Sequence, residues 1–264
     1  MSGLHIPLGG GPDGTRTDHA VNVLAPNPGI MTLDGTNTWL IGDGEETIVV
    51  DPGPDDADHL ERVRAHLDGR RVTEILLTHG HFDHSGGARS FAALVNAPVR
   101  ALDPRHRLGG EGLADGDVVT VGGLEVHVHG TPGHSFDSLC FWLPQDRAML
   151  TGDTVLGRGT TIIAGDGGLA DYLRSLDRLR EAAERLEAKV LLPGHGPVLT
   201  DPIAALDGYL AHRRERLDQI RAAQAQGART PREIVRVVYA DVDRSLWPAA
   251  EMSVRAQLDY LERL

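Results

Sequence analysis

The sequence is poor in cysteine, in aromatic residues and in long apolar segments, and each shortage excludes a class of protein. Cys140 is the single cysteine, so no disulfide can form within the chain and a reducing compartment is expected. Aromatic residues make up 4% of the 264 residues, so Val, Leu, Ile and Ala must fill the core. No segment approaches the roughly 18 apolar residues of a membrane span, and residues 1–16 do not resemble a secretory signal. We therefore expect a cytoplasmic protein that does not contact a membrane.

Negative charge is concentrated in the first 200 residues. The chain has 38 acidic and 26 basic residues, for a formal net charge of −12. Residues 201–264 hold ten of each sign, so the whole excess lies in residues 1–200. An acidic protein does not attract polyanions in general, whereas carboxylates are suitable ligands for divalent metal ions.

Short apolar segments alternate with helical patterns up to residue 200. Strands are predicted at 37–42, 46–50, 74–78, 98–102, 117–121, 124–129, 138–143, 148–151 and 189–193. Helices are predicted at 55–68, 86–95 and 169–187, and beyond the strands at 202–226, 230–240 and 249–263. This pattern indicates an α/β (α+β) fold with two packed sheets over residues 1–200 and a helical appendage over residues 201–264.

The most informative segment is the histidine-rich motif Thr78-His79-Gly80-His81-Phe82-Asp83-His84. Three imidazoles and one carboxylate fall within six residues, directly after the predicted strand EILLT. A loop at the end of a strand can direct several side chains to one point, which a regular strand or helix cannot do at this spacing. Imidazole and carboxylate are preferred zinc ligands among nitrogen and oxygen donors, so the motif predicts a metal site.

Three further segments place a ligand just beyond a strand. His134 follows LEVHVHG, Asp153 follows AMLT, and His195 follows KVLL, each beside glycine residues that allow a sharp turn. One such residue alone is usually part of a turn. Together with the histidine motif, they predict a single site that is built from four loops.

These motifs resemble those of the metallo-β-lactamase superfamily, whose signature is H-x-H-x-D-H followed by a distant His, Asp and His. The resemblance covers roughly residues 20–200 and implies an αββα sandwich with the site at one edge of the two sheets. It implies that His79, His81 and His134 hold one metal ion and that Asp83, His84 and His195 hold a second. Asp153 would bridge the two ions.

The resemblance also implies a hydrolytic chemistry. Two divalent ions, in the first place Zn²⁺ with Mn²⁺ or Fe²⁺ as alternatives, would share a hydroxide that attacks a carbonyl or phosphoryl centre. Asp83 and Asp153 would then be the catalytic carboxylates, and Asp83 could also relay a proton. A redox version with iron is usually fused to a flavin domain, for which 264 residues leave no room.

A narrower resemblance links the chain to the β-lactamase-like protein 2 family. It rests on residues 152–161 (GDTVLGRGTT), 171–176 (DYLRSL) and 193–198 (PGHGPV). That family includes single-strand-specific endoribonucleases and has a winged-helix-like C-terminal domain, which residues 230–240 and 249–263 would match. The resemblance suggests single-stranded RNA as the substrate. Arg158, Thr160 and Thr161 lie where loops could contact it.

Two other hypotheses remain open. One is a thioester or ester hydrolase like glyoxalase II, which also has a helical C-terminal part and would act on a small acyl-thioester. The other is a binding module in which the appendage binds nucleic acid or a partner and the metals are structural. Structural zinc sites are usually single and rich in cysteine, which argues against the second. The helical end could also support a homodimer.

Overall fold

The computed structural model describes residue 5 and residues 13–264. Most of the segment 1–16, in which no secretory signal is expected, therefore lies outside the described residues. Within the described residues there are ten strands in two sheets. The first sheet has the order β1-β2-β3-β4-β5. Its strands are Ala20–Leu24 (β1), Asn37–Ile41 (β2), Glu46–Val50 (β3), Arg71–Leu76 (β4) and Val99–Arg100 (β5). The second sheet has the order β10-β9-β8-β7-β6. Its strands are Val118–Val121 (β6), Leu124–Gly130 (β7), Leu139–Leu143 (β8), Ala148–Gly152 (β9) and Val190–Pro193 (β10).

The α-helices of this part of the chain surround and extend the two sheets. The helices of the first half are Ala57–His66 (α1), Phe82–Ser85 (α2) and Ala88–Val95 (α3). Those of the second half are Leu169–Arg185 (α4), Pro202–Ala225 (α5), Pro231–Val238 (α6) and Trp247–Leu261 (α7). No helix among residues 13–264 is long and apolar enough to cross a membrane.

The alternation of side chains along the strands explains the layered architecture. In β3, Ile48 and Val50 face the second sheet, whereas Val49 packs with the helices α1 and α3. In β8, Phe141 faces the first sheet, and Cys140 packs against α4 and α5. Since successive strand residues point to opposite faces, each sheet is buried on both sides. The order of layers is helices, sheet, sheet, helices, which confirms the predicted αββα sandwich.

The C-terminal helices pack in two places. Leu206, Tyr209 and Leu217 of α5 belong to the same apolar cluster as α4 and the outer face of the second sheet. Farther along α5, Ile220 packs with Ile234 of α6 and with α7. A capping box of Thr230 and Glu233 starts α6, as the sequence predicts. The domain boundary at residue 200 stays a prediction, because α5 packs on both parts.

Two elements differ from the sequence-based expectation. The sequence does not predict the strand β1, because AVNVL is short and carries an asparagine at its centre. Its residues pair in antiparallel register with β2, and Ala20 and Val23 are fully buried. The helix α2 forms inside the histidine motif, where the sequence predicts a loop, and His81 is its N-cap. The motif therefore turns through one helical turn, which brings Asp83 and His84 back toward the strand end.

Candidate metal centre

All seven predicted ligands lie at one edge of the sandwich, beyond the carboxyl ends of four strands. The loops that carry them follow β4, β7, β9 and β10. His79, His84 and His195 are buried, whereas Asp83 and His81 are partly exposed. The potential ligand atoms fall into three overlapping groups, in each of which all atoms lie within 4.8 Å of one another. The groups are His79, His81 and His134; His79, His84 and Asp153; and Asp83, His84 and His195.

The first group brings three imidazole nitrogens together. Nδ1 of His81 lies 3.0 Å from Nε2 of His79 and 3.0 Å from Nε2 of His134. The rings of His81 and His134 are nearly perpendicular, at 89°. Three nitrogens therefore face a common point, with His81 contributing Nδ1 and the other two contributing Nε2.

The group of Asp83, His84 and His195, called the second group from here on, has a carboxylate in place of one imidazole. Nε2 of His84 lies 3.2 Å from Nε2 of His195, which in turn lies 3.1 Å from Oδ2 of Asp83. Two imidazoles and one carboxylate thus converge. Asp83 is the most exposed of these three side chains, so it lies between the centre and solvent.

Asp153 lies between the two groups. Its Oδ1 is 3.3 Å from Nε2 of His84 and 3.5 Å from Nε2 of His195. Its Oδ2 is 3.6 Å from Nε2 of His134. One carboxylate oxygen therefore faces each group, which is the placement that a bridging carboxylate requires.

Asp51 orients part of the centre from behind, and the sequence analysis did not single it out. Its Oδ2 accepts hydrogen bonds from Nδ1 of His84 at 2.8 Å and from Oγ1 of Thr78 at 2.6 Å. Thr78 Oγ1 in turn lies 3.0 Å from Nδ1 of His79. Asp51 thereby fixes one imidazole directly and a second one through Thr78. Asp51 directly follows β3, just as the predicted ligands directly follow strands. This position was the signal in the sequence that could have identified it.

The outer nitrogens of His134 and His195 donate to backbone oxygens. His134 Nδ1 donates to the carbonyl of Ile162 at 2.9 Å, and His195 Nδ1 donates to the carbonyl of Gly35 at 3.0 Å. Such partners fix both the ring orientation and the tautomer, and they are typical of metal-binding histidines. In the neutral form of each of these rings, the Nε2 lone pair is free and faces inward.

This donor set fits a pair of divalent cations. The inward-facing nitrogens of His79 and His134 each lie 3.0 Å from Nδ1 of His81, and both carry a free lone pair once their outer nitrogens donate. Oδ1 of Asp153 is buried and has no hydrogen-bond partner among the described residues. Buried polar atoms without partners are costly, and a cation between them would satisfy all of them. Imidazole and carboxylate donors suit zinc, and also manganese or iron.

The charges in the two groups shift their pKa values in opposite directions. Burial holds the pKa of His79 well below its ordinary value and lowers that of His134. Burial also opposes protonation of His195, but Asp153 and Asp83 outweigh it and raise its pKa to about 9. The pKa of His84 is raised well above its ordinary value for the same reason, with Asp51 as a further contributor. The second group is therefore the more strongly cation-attracting one.

Two glycines allow the loops to approach this closely. A Cβ on Gly194 would lie 2.7 Å from both Oδ1 of Asp153 and Cε1 of His84. Gly152 has φ of +47°, and its Cβ would lie 2.8 Å from the side chain of Thr78. Any larger residue at these positions would push the loops apart. This explains why glycine flanks Asp153 and His195.

The loop after Asp153 carries the three residues that the sequence predicts to contact substrate. Arg158 is exposed and forms an ion pair with Asp34. Thr160 is partly exposed, and Thr161 is buried, donating from Oγ1 to the carbonyl of Asp153 at 2.6 Å. Thr161 therefore holds the backbone of a predicted ligand. Substrate contact by these residues stays a prediction.

Helix α5 supports the same loop, which the sequence did not reveal. Arg213 is buried, hydrogen-bonds through Nη2 to the carbonyl of Thr161, and lies with its guanidinium 5.0 Å from the ring of Tyr172. The hydroxyl of Tyr209 accepts from the amide of Leu156 at 2.8 Å. The C-terminal part thus fixes the loop between Asp153 and the carbonyl that orients His134.

One further group of potential ligands lies beside the centre. Asp103, His106 and Asp137 have atoms within 4.8 Å of one another. Asp103 is already bound to Arg105 at 2.8 Å, and Asp137 accepts from Ser135 at 2.8 Å. His106 packs so closely against Gly80 that a Cβ on Gly80 would overlap Nε2 of His106. These residues support the histidine motif from outside.

Comparison with known proteins agrees with this geometry. Residues 31–195 match the family model described as the Metallo-beta-lactamase superfamily, and residues 230–264 match the Beta-lactamase associated winged helix domain. The first match covers more than half of the chain. The chain therefore belongs to the metallo-β-lactamase superfamily, a family of hydrolases, and carries the winged-helix-associated domain in its C-terminal part.

Several relatives extend the similarity beyond the family model. The chain is 30% identical over 272 residues to the Beta-lactamase-like protein 2 homolog of Drosophila melanogaster, covering 94% of this chain and 89% of that protein. It is 35% identical over 247 residues to the Atrochrysone carboxyl ACP thioesterase of Aspergillus chevalieri, covering 88% and 77%. Identity to the Lactamase-like protein adaB of Aspergillus niger is 34% over 210 residues, or 78% of this chain, which spans 64% of that relative's length.

A solved structure supports the fold. The structure of a metallo-beta-lactamase family protein from Thermus thermophilus superposes with a TM-score of 0.77. The alignment covers 93% of each chain at 24% sequence identity. Because the identity is low, this likeness supports the architecture, including the C-terminal helices, and not a particular substrate.

Proposed function

We propose that this protein hydrolyses an acyl thioester at a dinuclear metal centre. His79, His81 and His134 would hold one ion, Asp83, His84 and His195 the second, and Asp153 would bridge them. Two divalent ions supply, when bound, a water that is deprotonated near neutral pH and Lewis acidity toward the substrate carbonyl. The choice of a thioester rests chiefly on the side chains around the mouth of the centre.

Exposed apolar side chains are concentrated on the loops around the centre, which are here called its mouth. Nine large apolar side chains are exposed in the described part of the chain. Four of them lie on loops that carry or contact the predicted ligands, namely Ile30, Met31, Phe82 and Phe136. Phe82 lies between His81 and Asp83 and is 70% exposed, and Phe136 is 48% exposed. Exposed apolar groups beside a polar centre favour a substrate with an apolar acyl group.

The arginines near the mouth do not favour a polyanion. Arg158 is ion-paired with Asp34, and Arg105 with Asp103. Asp166 adds a further carboxylate, 3.8 Å from Nε2 of His81. A chain of phosphodiesters requires cationic groups that are free to bind it. The charges at the mouth therefore favour a substrate whose reacting part is uncharged, as a thioester is.

Asp83 is the residue best placed to move a proton. It is the most exposed of the carboxylates in the centre, and its pKa is lowered to about 2, since His84 and His195 outweigh the effect of burial. An ionised carboxylate at this position can accept a proton from the attacking water and deliver it toward the leaving group. A thiolate leaving group needs little protonation.

The relatives support this choice. One relative is named as an ACP thioesterase, that is, an enzyme that acts on an acyl chain bound through a thioester to a carrier protein. The wider superfamily shares the metal ligands among many reactions, so the fold alone does not select a substrate. The named relative and the apolar mouth point in the same direction.

Single-stranded RNA is the second candidate. Phe82 and Phe136 could also stack on unpaired bases, since any base presents a π-face to an aromatic ring. The winged-helix-associated domain and the similarity to β-lactamase-like protein 2 homologs favour it as well. Both substrates would be cleaved at the same centre, so a direct comparison distinguishes them.

The experiment measures thiol release from aromatic and acetyl thioesters of N-acetylcysteamine by the zinc-loaded protein. Asp83→Ala serves as a control for contaminating enzymes. Phe82→Ser should lower kcat/KM for the aromatic thioester about 10-fold, because it removes an apolar contact. Leu94→Ser, which changes an exposed apolar residue elsewhere, should leave it unchanged. Cleavage of labelled RNA without any thiol release would refute the proposal in favour of the second candidate.

A further inference from the structure

A groove of about 700 Å³ runs between the start of α4 and the last helix, α7. One wall is the loop that contains Gly165 and Gly167, continuing into Leu169. The other wall is the face of α7 that carries Met252, Arg255 and Tyr260. The C-terminal part of the chain therefore forms a concave surface together with the catalytic layer.

The groove adjoins the metal centre. Gly168 donates to the carbonyl of Gly133 at 2.9 Å, immediately before His134. Gly167 lies so close to the carbonyl oxygen of His134 that a Cβ would overlap it. Asp166, between the two lining glycines, lies 3.8 Å from Nε2 of His81. The inner wall of the groove is thus the outer side of the first histidine group. A ligand that reaches the metals from this side would extend along the groove.

The charges in the groove differ from those of the rest of the molecule. It is lined by three arginines and two aspartates, whereas the whole chain has a net charge of −12. Arg174 is ion-paired with Asp171. Arg255 and Arg263 are exposed and have no ion-pair partner within residues 13–264. Arg255 and Arg263 are therefore the two cations of the groove that are free for a ligand.

The free arginines and the apolar side chains beside them define the kind of ligand. The two arginines lie eight residues apart, about 12 Å along a helix, so they can meet at one phosphate when their long side chains extend toward each other. Leu169, Met252 and Tyr260 provide apolar surface in the same groove. An elongated ligand with an apolar or amide-bearing chain and a phosphate at its far end would match this arrangement. Arginine is well suited to phosphate because its planar guanidinium donates two parallel hydrogen bonds.

We propose that this groove binds the phosphorylated pantetheine arm of the thioester substrate, with Arg255 and Arg263 at its phosphate. The inference rests on the proposed thioesterase function, which it makes more specific. A pantetheine arm carries its thioester at one end and its phosphate at the other. The thioester carbonyl would lie at the centre and the phosphate in the groove. Free coenzyme A and a carrier protein present the same arm.

The test compares thioesters that share one acyl group. The substrates are the N-acetylcysteamine thioester, which lacks phosphate, the phosphopantetheine thioester, the coenzyme A thioester and an acylated carrier protein. We expect the wild-type protein to prefer the phosphorylated substrates. The variant Arg255→Ala/Arg263→Ala should reduce the ratio of kcat/KM for phosphopantetheine over N-acetylcysteamine about 10-fold, since charge-assisted hydrogen bonds are lost. Arg221→Ala, an exposed arginine of α5 outside the groove, should leave the ratio unchanged.

A binding measurement separates this inference from the proposed function. The probe is S-methyl phosphopantetheine, which cannot be hydrolysed, titrated by calorimetry into the zinc-loaded protein. Binding that is weakened in the double variant supports the groove. Hydrolysis of thioesters with no preference for phosphate and no probe binding would overturn the groove while leaving the proposed function intact. If the double variant lost binding of RNA and not of the probe, the groove would be assigned to RNA, and the inference would also be overturned.

The same data show which carrier the enzyme uses. Equal kcat/KM for the phosphopantetheine and carrier-protein substrates would mean that the arm alone is recognised. A higher value for coenzyme A that falls in the double variant would place its additional phosphates on the same arginines. Both outcomes support the groove and identify the source of the arm.

Discussion

The two histidine groups of the centre are alike in geometry but differ in charge. His79 and His134 have lowered pKa values because they are buried with little compensating negative charge. His84 and His195 are also buried, yet their pKa values are raised because carboxylates surround them. His79 and His134 are therefore neutral at neutral pH, whereas His84 and His195 hold protons until a metal displaces them.

The difference shows that two adjacent groups of imidazole ligands can differ in how strongly they attract a metal ion, depending on the carboxylates around them. The first group is ready to bind a cation but attracts it weakly from a distance. The second group attracts cations strongly, but protons compete for it. The carboxylates that cause this asymmetry include Asp51, which is not a predicted ligand. Three variants and one titration test the comparison, beginning with the largest effect.

Removing the carboxylate between the groups should affect both at once. Asp153→Ala is expected to reduce turnover of the thioester by about 1,000-fold or more, because the two-metal arrangement supplies several kcal/mol of transition-state stabilisation. Circular dichroism should show an unchanged fold, and metal analysis should show fewer than two ions. The surface variant Asp218→Ala is the control. Wild-type turnover in Asp153→Ala would disprove the bridging assignment.

Asp51→Asn tests the second group specifically. Asn keeps the shape and tolerates the left-handed backbone at this position, where φ is +51°. Loss of the charge behind His84 should weaken zinc binding about 10- to 100-fold, as is typical for outer partners of metal ligands. Competition with a chelator measures this affinity, and Asp34→Asn at the rim is the matched control. An affinity equal to that of the wild type would mean that Asp51 has only a structural role.

Arg213→Met tests support of the first group by the C-terminal helices. The substitution removes the hydrogen bond to the carbonyl of Thr161 and should destabilise the protein by about 1–3 kcal/mol. Because that loop also carries the carbonyl that orients His134, zinc affinity should fall as well, and Arg213→Lys should restore part of it. Chemical denaturation and chelator competition give the two values. A loss of stability with unchanged affinity would limit Arg213 to packing.

Proton release should reveal the asymmetry directly. The pKa of His195 in the metal-free protein is about 9, so this imidazole is protonated at about pH 7.5 and neutral near pH 10. Zinc binding at about pH 7.5 should therefore release the proton of His195 in addition to any released by His84, and the His195 contribution should vanish as pH rises through about 9. The raised pKa also stabilises the metal-free fold below about pH 6.5, and this contribution is lost as pH rises through about 9. Calorimetry in buffers of different ionisation enthalpy measures the release, and a constant release from about pH 7 to 10 would contradict this account.

Much of the fold and the centre could be predicted because the signals are local. The ligands follow apolar strand segments, and strand ends meet at one edge of a sheet, so His79, Asp153 and His195 could be expected to converge. The two packed sheets and the helical C-terminal part follow from the period and length of the apolar segments. Among the described elements that position the centre, the sequence misses β1 and the single-turn α2. The pattern of β1 is short, and the turn of α2 forms only in the folded loop.

The supporting residues could not be found in the same way. Asp51 and His84 are 33 residues apart, and Arg213 and Thr161 are 52 residues apart. Asp51 appears in sequence as one polar residue of a turn, and Arg213 as one of several arginines on a helix. Their roles depend on which backbone carbonyls and imidazoles lie next to them, and this is decided by the packing of distant segments.

The two sheets are also joined at the edge where the histidines lie, through the bridge between Thr36 and His195 and the bonds from Asn37 to the carbonyls of Pro193 and Gly196. The bond to Gly196 spans 159 residues, and closing so long a loop is entropically unfavourable and slow compared with local structure formation. The second ligand group cannot be complete until the last strand, β10, has docked. During synthesis, the chain therefore has to emerge from the ribosome beyond β10 before it can retain both metal ions. Uptake of the second metal ion thus marks a late step of folding.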